Sequence, residues 1–163
     1  MPRPASLPKM EGMKASFSRR ALLLCSALFF AASLRAGSAD ETAAGKVAVE
    51  FINAHVAELV GYEETIARVE ASPLVTDRYK QALAKLYRDA LKEDPEMGYG
   101  ADAVIGGQDC PESFRVKSSS VGDGRARVVL IGEDPAFPME VKVDLILAEG
   151  QWLVDASGDL IQD

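Results

Sequence analysis

The sequence predicts an α+β fold: N-terminal helices packed on a curved antiparallel β-meander of about four strands, a cone-like arrangement. Three observations predict it. Apolar residues recur at steps of three and four from Val49 to Ala90, the period of one helical face. After Pro111 the period falls to two. Turn signals then separate short runs of β-favouring residues, and successive hairpins make neighbouring strands antiparallel. A chain of 163 residues is one domain's worth, and a hydrophobic fraction of 48% is too high for wholesale disorder.

The N-terminal segment reads as a targeting signal. Arg19 and Arg20 precede an apolar run from Ala21 to Leu34, and small residues follow at Ala36, Gly37, Ser38 and Ala39. That order describes a secretory signal peptide. The expectation is a signal over residues 1–39, cleaved near Ser38 or Ala39, then a single α+β domain over 40–163, periplasmic or secreted from a bacterium. The apolar run is shorter than the ~20 residues that span a bilayer, so no stable membrane span remains after cleavage. Met13 lies nearer the basic pair and is an alternative start, with residues 1–12 then upstream of it. The stretch Ser18-Arg19-Arg20-Ala21-Leu22-Leu23 resembles a twin-arginine motif; a general secretory signal stays open beside it. Leu24 departs from the lipoprotein pattern, which assigns Cys25 to the apolar run.

Cleavage removes six of the 18 basic residues and one of the 25 acidic ones, leaving a net charge of about −12. That balance argues against nucleic acid as a partner. Cys110 is then the only thiol, a free one, either buried and inert or available to bridge two copies; a homodimer is left open.

The first apolar stripe is Val49, Ile52, Val56, Leu59, Tyr62, Ile66 and Val69, with Asp40 or Thr42 as cap. Gly61 leaves open one long helix or two, and Ser72-Pro73 ends the pattern. Thr76 caps the next helix, whose stripe is Tyr79, Leu83, Leu86 and Ala90, and Asp94-Pro95 stops it. Residues 97–112 are rich in Gly and Asp and read as a loop linking two halves of one core, with a functional loop as the alternative. Phe114 and Val116 begin the strands. Gly122-Asp123-Gly124 turns into a central strand, Arg125 to Ile131. Met139, Val141, Val143, Leu145 and Leu147 then share one face of a third strand. Glu149-Gly150 turns into a last strand, Trp152 to Asp155. Asp155 to Asp159 fails the calcium-loop template and reads as a solvated tail.

Little chemistry is on offer. His55 is the only histidine, so a metal site has no second imidazole, and no nucleophile elbow or phosphate-binding loop is present. No catalytic residue, metal or cofactor is assigned. Glu58 is a candidate partner for His55. Glu63-Glu64 and Glu93, Asp94 and Glu96 read as solvated faces. His55, Tyr87 and Trp152 are the candidate lining of a binding pocket between helices and sheet.

The order of elements carries a resemblance. An amphipathic helix (Val47 to Leu59), a second helix (Asp77 to Leu91), an Asp-bearing loop ending Gly107-Gln108-Asp109 and a closing Gly150-Gln151-Trp152-Leu153-Val154-Asp155 strand resemble exported bacterial domains of unknown function with the nuclear-transport-factor-two-like cone fold. That superfamily includes enzymes, ligand-binding domains and non-catalytic modules, so the resemblance implies a fold and no activity. A looser similarity, in export, size and acidity without any shared motif, is to the immunity proteins against type VI secreted cell-wall amidases. The expected function is a non-catalytic binding module for a small ligand or a protein partner. An inhibitor or immunity protein against a toxin or cell-wall enzyme is one alternative. A small hydrolase or isomerase using His55 with a carboxylate is the other.

Overall fold

Three helices precede a four-stranded antiparallel sheet in the computed structural model, which describes residues 39–162. The signal expected over residues 1–39 falls, but for Ala39, outside the described residues, and so do Met13 and Cys25. Helix α1 spans 39–56, α2 Tyr62–Ala71 and α3 Asp77–Glu93. The strands are β1 Phe114–Gly122, β2 Arg125–Gly132, β3 Glu140–Ala148 and β4 Gln151–Ser157, paired in the order β1-β2-β3-β4. The helices pack on one face of the sheet, the α+β arrangement expected. Among the described residues no helix is long and apolar enough to cross a membrane.

The helical stripe breaks in two. α1 buries Ala44, Ala48, Phe51, Ile52 and Val56, then ends, and Gly61 caps α2. Leu59, expected on the apolar stripe, lies in the intervening turn and is 55% exposed. The cap of α3 is as expected: the Thr76 hydroxyl accepts the Tyr79 N–H at 3.1 Å. Its buried face is Tyr79, Leu83, Ala84 and Tyr87.

β2 is central, flanked by β1 and β3. Ala126, Val128 and Leu130 of β2 and Val141, Val143 and Leu145 of β3 point into the core, as the period of two requires. The hairpin turns put Asp123-Gly124 and Glu149-Gly150 at positive φ, the left-handed region that two-residue turns demand. Leu147 shares the inward phase but sits near the end of β3 and is 42% exposed. Val116 also stays exposed, because β1 is an edge strand with a bulge between Val116 and Ser118. Beyond β4, Val75 bridges Val154 in parallel, with Thr76 N–H on the Val154 carbonyl and Val154 N–H on the Leu74 carbonyl.

One expectation is corrected. The stretch from Asp155 is not a solvated tail. Asp155 to Ser157 belong to β4, and Gly158–Leu160 form a 3-10 turn. Ser157 is fully buried, its hydroxyl 2.8 Å from the Tyr79 hydroxyl and donating to the Val104 carbonyl at 2.7 Å. Partners 78 and 53 residues away supply what the local sequence lacks. The 97–112 stretch is the loop expected, and it buries Ala103, Val104 and Ile105 in the core. Gly158 lets that segment approach; a Cβ there would lie 2.4 Å from the Ala103 carbonyl oxygen.

Candidate functional site

His55 sits in the last turn of α1, 3% exposed, where the apolar stripe runs out. A buried imidazole must find partners for both nitrogens. Its Nε2 lies 2.6 Å from Oδ2 of Asp102, and its Nδ1 lies 3.0 Å from a terminal guanidinium nitrogen of Arg68, on α2. A guanidinium only donates, so Nδ1 accepts and the ring proton is on Nε2, donated to Asp102. Arg68 also donates to the carbonyl of Glu58, which ties down the α1–α2 turn.

Asp102 gathers the rest. Its Oδ1 accepts the Val104 N–H at 2.9 Å and faces the Tyr87 hydroxyl at 3.4 Å. Tyr87, from α3, accepts the Ala103 N–H at 3.0 Å. Burial pushes the Asp102 carboxyl up, but the hydrogen bonds from His55, the Val104 N–H and Tyr87 outweigh it and hold the carboxyl below the usual range. The Tyr87 phenol goes the other way, raised by burial and by the Asp102 charge. The Asp102 backbone closes a small loop, donating to the Gly107 carbonyl and accepting from Gly106 N–H, each at 2.8 Å.

A tyrosine cluster braces the preceding stretch. The Tyr62 hydroxyl donates to the Met97 carbonyl and accepts the Gly100 N–H. The Tyr62 and Tyr87 rings are 4.7 Å apart, and those of Tyr87 and Tyr99 6.0 Å. Tyr99 donates to Asp159 at 3.0 Å. At the tip, the Asp94 carboxylate accepts the Glu96 and Met97 N–H groups, each at 3.0 Å. Three helices and the C-terminal turn thus hold one long loop.

The two loops that Tyr62 joins carry exposed apolar and acidic residues. Leu59 (55% exposed), Val60 (47%) and Met97 (68%) are three of the large apolar side chains left in solvent. Glu58, Glu63, Glu64, Glu93, Asp94 and Glu96, within a few residues of them along the chain, are all exposed, and Glu58 lies 4.0 Å from Arg68. The nearby cations are committed: Arg68 to His55, and Lys92 to Asp89 at 2.9 Å.

Of the residues picked from sequence, His55 and Tyr87 meet through Asp102. Trp152 does not join them; it is buried on β4, opposite Leu147. Among the described residues, a cavity of about 950 Å³ lies on the solvent face of the sheet and another of about 510 Å³ between α1 and β1. None of the three residues lines either. Glu58 is not the partner of His55: the helix ends at residue 56, and Asp102, 47 residues on, takes that place. Cys110 is a free thiol, half-buried against the core, pushed up by burial and by the charges of Asp102 and Asp109. Asp102 and Arg68 were not singled out. The one available signal was a lone histidine on an apolar face, which needs a carboxylate and a donor from somewhere. Among the described residues no group of three or more His, Cys, Asp or Glu is placed to hold a metal ion.

No protein-family profile and no curated protein sequence matches the chain. Among solved structures, it is similar in fold to a protein of unknown function from Bacteroides thetaiotaomicron. The two are 18% identical with a TM-score of 0.51, over 78% of this chain and 98% of that one. It is also similar to a chain of the type VI native effector–immunity complex Tae3–Tai3 from Ralstonia pickettii. There the identity is 16% and the TM-score 0.49, over 72% of this chain and 95% of that one. At such identities the likeness is one of fold alone.

Proposed function

We propose that the chain is an exported, non-catalytic binding module of the nuclear-transport-factor-two-like class that docks a basic protein partner through the end capped by the Asp102 loop. One observation carries this reading: exposed Leu59, Val60 and Met97, with six exposed carboxylates near them along the chain, on two loops locked together by His55, Asp102, Arg68 and Tyr62. Apolar anchors within a charged rim are the anatomy of a protein interface. Loops already ordered give up little entropy on binding. A net charge of about −12 over residues 40–163 steers a basic partner and repels an acidic one. An inhibitor or immunity protein that covers a basic secreted enzyme or toxin is the special case with the same surface requirements.

Acid–base catalysis by His55 has less support. Both ring nitrogens are engaged, and neither cavity reaches the imidazole.

The test uses the protein and a surface variant, Leu59→Ser with Met97→Ser, as paired baits for envelope proteins of its host. A retained partner is purified and its affinity measured by calorimetry. The expected partner is basic, loses about tenfold or more in affinity for the variant, and weakens as salt rises from about 0.1 to about 1 M, where the screening length drops from about 10 to about 3 Å. An acidic partner, or a basic one indifferent to both the variant and the salt, refutes the reading.

A further inference from the structure

The cavity of about 950 Å³ lies at the opposite functional extreme: an open groove on the sheet face turned away from the helices. Its floor is a set of alternating charges. Arg127 holds Asp144 in a bidentate pair, Nε to Oδ1 at 2.7 Å and a terminal nitrogen to Oδ2 at 2.8 Å. Arg78, reaching over from α3, holds Asp155 with contacts of 2.6 to 3.0 Å and also donates to the Asp155 carbonyl. The Thr76 hydroxyl adds a bond to Asp155 at 2.7 Å. These fork-to-fork pairs fix both guanidinium planes and both carboxylates.

Arg125 is the fifth member, and it has no carboxylate of its own. Its side chain makes no hydrogen bond or ion pair among the described residues, yet its charge reaches Asp155 and helps to hold that carboxyl below the usual range, behind Arg78 and Thr76, against the upward push of burial. Three guanidiniums against two carboxylates leave one positive charge in a groove of a chain that is otherwise strongly acidic. Each Asp144 oxygen accepts one of these bonds and keeps a lone pair for a further N–H donor, whereas both Asp155 oxygens already accept two. Val121, Ile146 and Leu160 supply apolar wall. The volume is that of a small-molecule site.

We propose that this groove binds small molecules bearing one carboxylate beside an amide, namely N-acylated amino acids and short peptides with a free C-terminus, with the carboxylate on Arg125. A single unmatched charge suits a monoanion; a phosphate dianion would exceed it and leave one negative charge unmatched in the groove. The amide N–H is directed to the Asp144 carboxylate, and the side chain lies against Leu160 and Ile146. The site is independent of the docking end, since none of its residues belongs to the two loops there.

The experiment compares two probes that differ only in charge, N-acetyl-leucine and N-acetyl-leucinamide. Each is titrated into the isotopically labelled protein and into Arg125→Gln, and followed by amide chemical shifts. For N-acetyl-leucine the expected result is a saturable shift confined to the groove ends of β2, β3 and β4, with a Kd of millimolar order. The amide should bind about 3- to 10-fold more weakly, and Arg125→Gln should bind the two probes equally. Arg125 is exposed, so the variant folds, and an unchanged spectrum away from the groove verifies it. Equal affinity of the two probes for the unsubstituted protein, shifts centred on the Asp102 loop, or no saturation by about 20 mM, well past the expected Kd, each overturns the proposal.

Discussion

Asp102→Asn probes the clamp directly. The native carboxylate accepts from His55 Nε2–H on one oxygen and from Val104 N–H on the other. An asparagine has one oxygen and one NH2 group. Whichever way the amide turns, its NH2 meets a buried donor, either Val104 N–H or His55 Nε2–H. Moving the imidazole proton to Nδ1 gives no escape, because Nδ1 then meets the N–H of Arg68. One unsatisfied buried donor costs about 1–3 kcal/mol. That is roughly a 3–12 °C fall in melting temperature for a domain of this size. Denaturant unfolding at neutral pH measures the difference, and its pH dependence identifies the group. Asp102 titrates below its unfolded value, so its charge adds stability above about pH 4 that fades as the pH falls through the folded value. The gap between the two proteins should therefore narrow below about pH 4. A variant within about 0.5 kcal/mol of the native protein, or a gap unchanged from neutral pH down to about pH 2, refutes this account of the network.

Three further outcomes are expected. Gly158→Ala should cost upwards of about 2 kcal/mol, since φ is +50° and the new Cβ would lie within 2.8 Å of three backbone atoms of the 103–106 segment; calorimetric melting checks it. Tyr79→Phe should cost about 1 kcal/mol by denaturant unfolding, the value of one buried hydrogen bond, because the Ser157 hydroxyl keeps its bond to Val104. Cys110 should react with iodoacetamide at mildly alkaline pH several-fold more slowly than free cysteine, its thiol being half-buried and raised; an equal rate measured by mass spectrometry would count against that environment.

The helices and strands were legible because their signals are local. The step from Tyr79 to Leu83 and the alternation from Val141 to Leu145 each state which side faces the core, and the structure buries those residues. The turns at Asp123-Gly124 and Glu149-Gly150 were legible for the same reason, since each dipeptide meets its own φ requirement. Leu59 was misplaced because periodicity counts through a helix end without registering that the backbone has turned. The Asp155–Ser157 stretch was misread because its polar residues look solvent-facing until Tyr79, Thr76 and Arg78 are brought beside them.

By itself, the sequence determined the class of fold, the order of its elements and the strong acidity, all of them properties of neighbours along the chain or of composition. Tertiary structure alone decided the site. Asp102 reaches His55 across 47 residues and Arg68 reaches it from the next helix, while Trp152, chosen with them from sequence, stays apart. A hydrogen-bond clamp depends on which loops meet in space, and the spacing of residues along the chain does not encode that meeting.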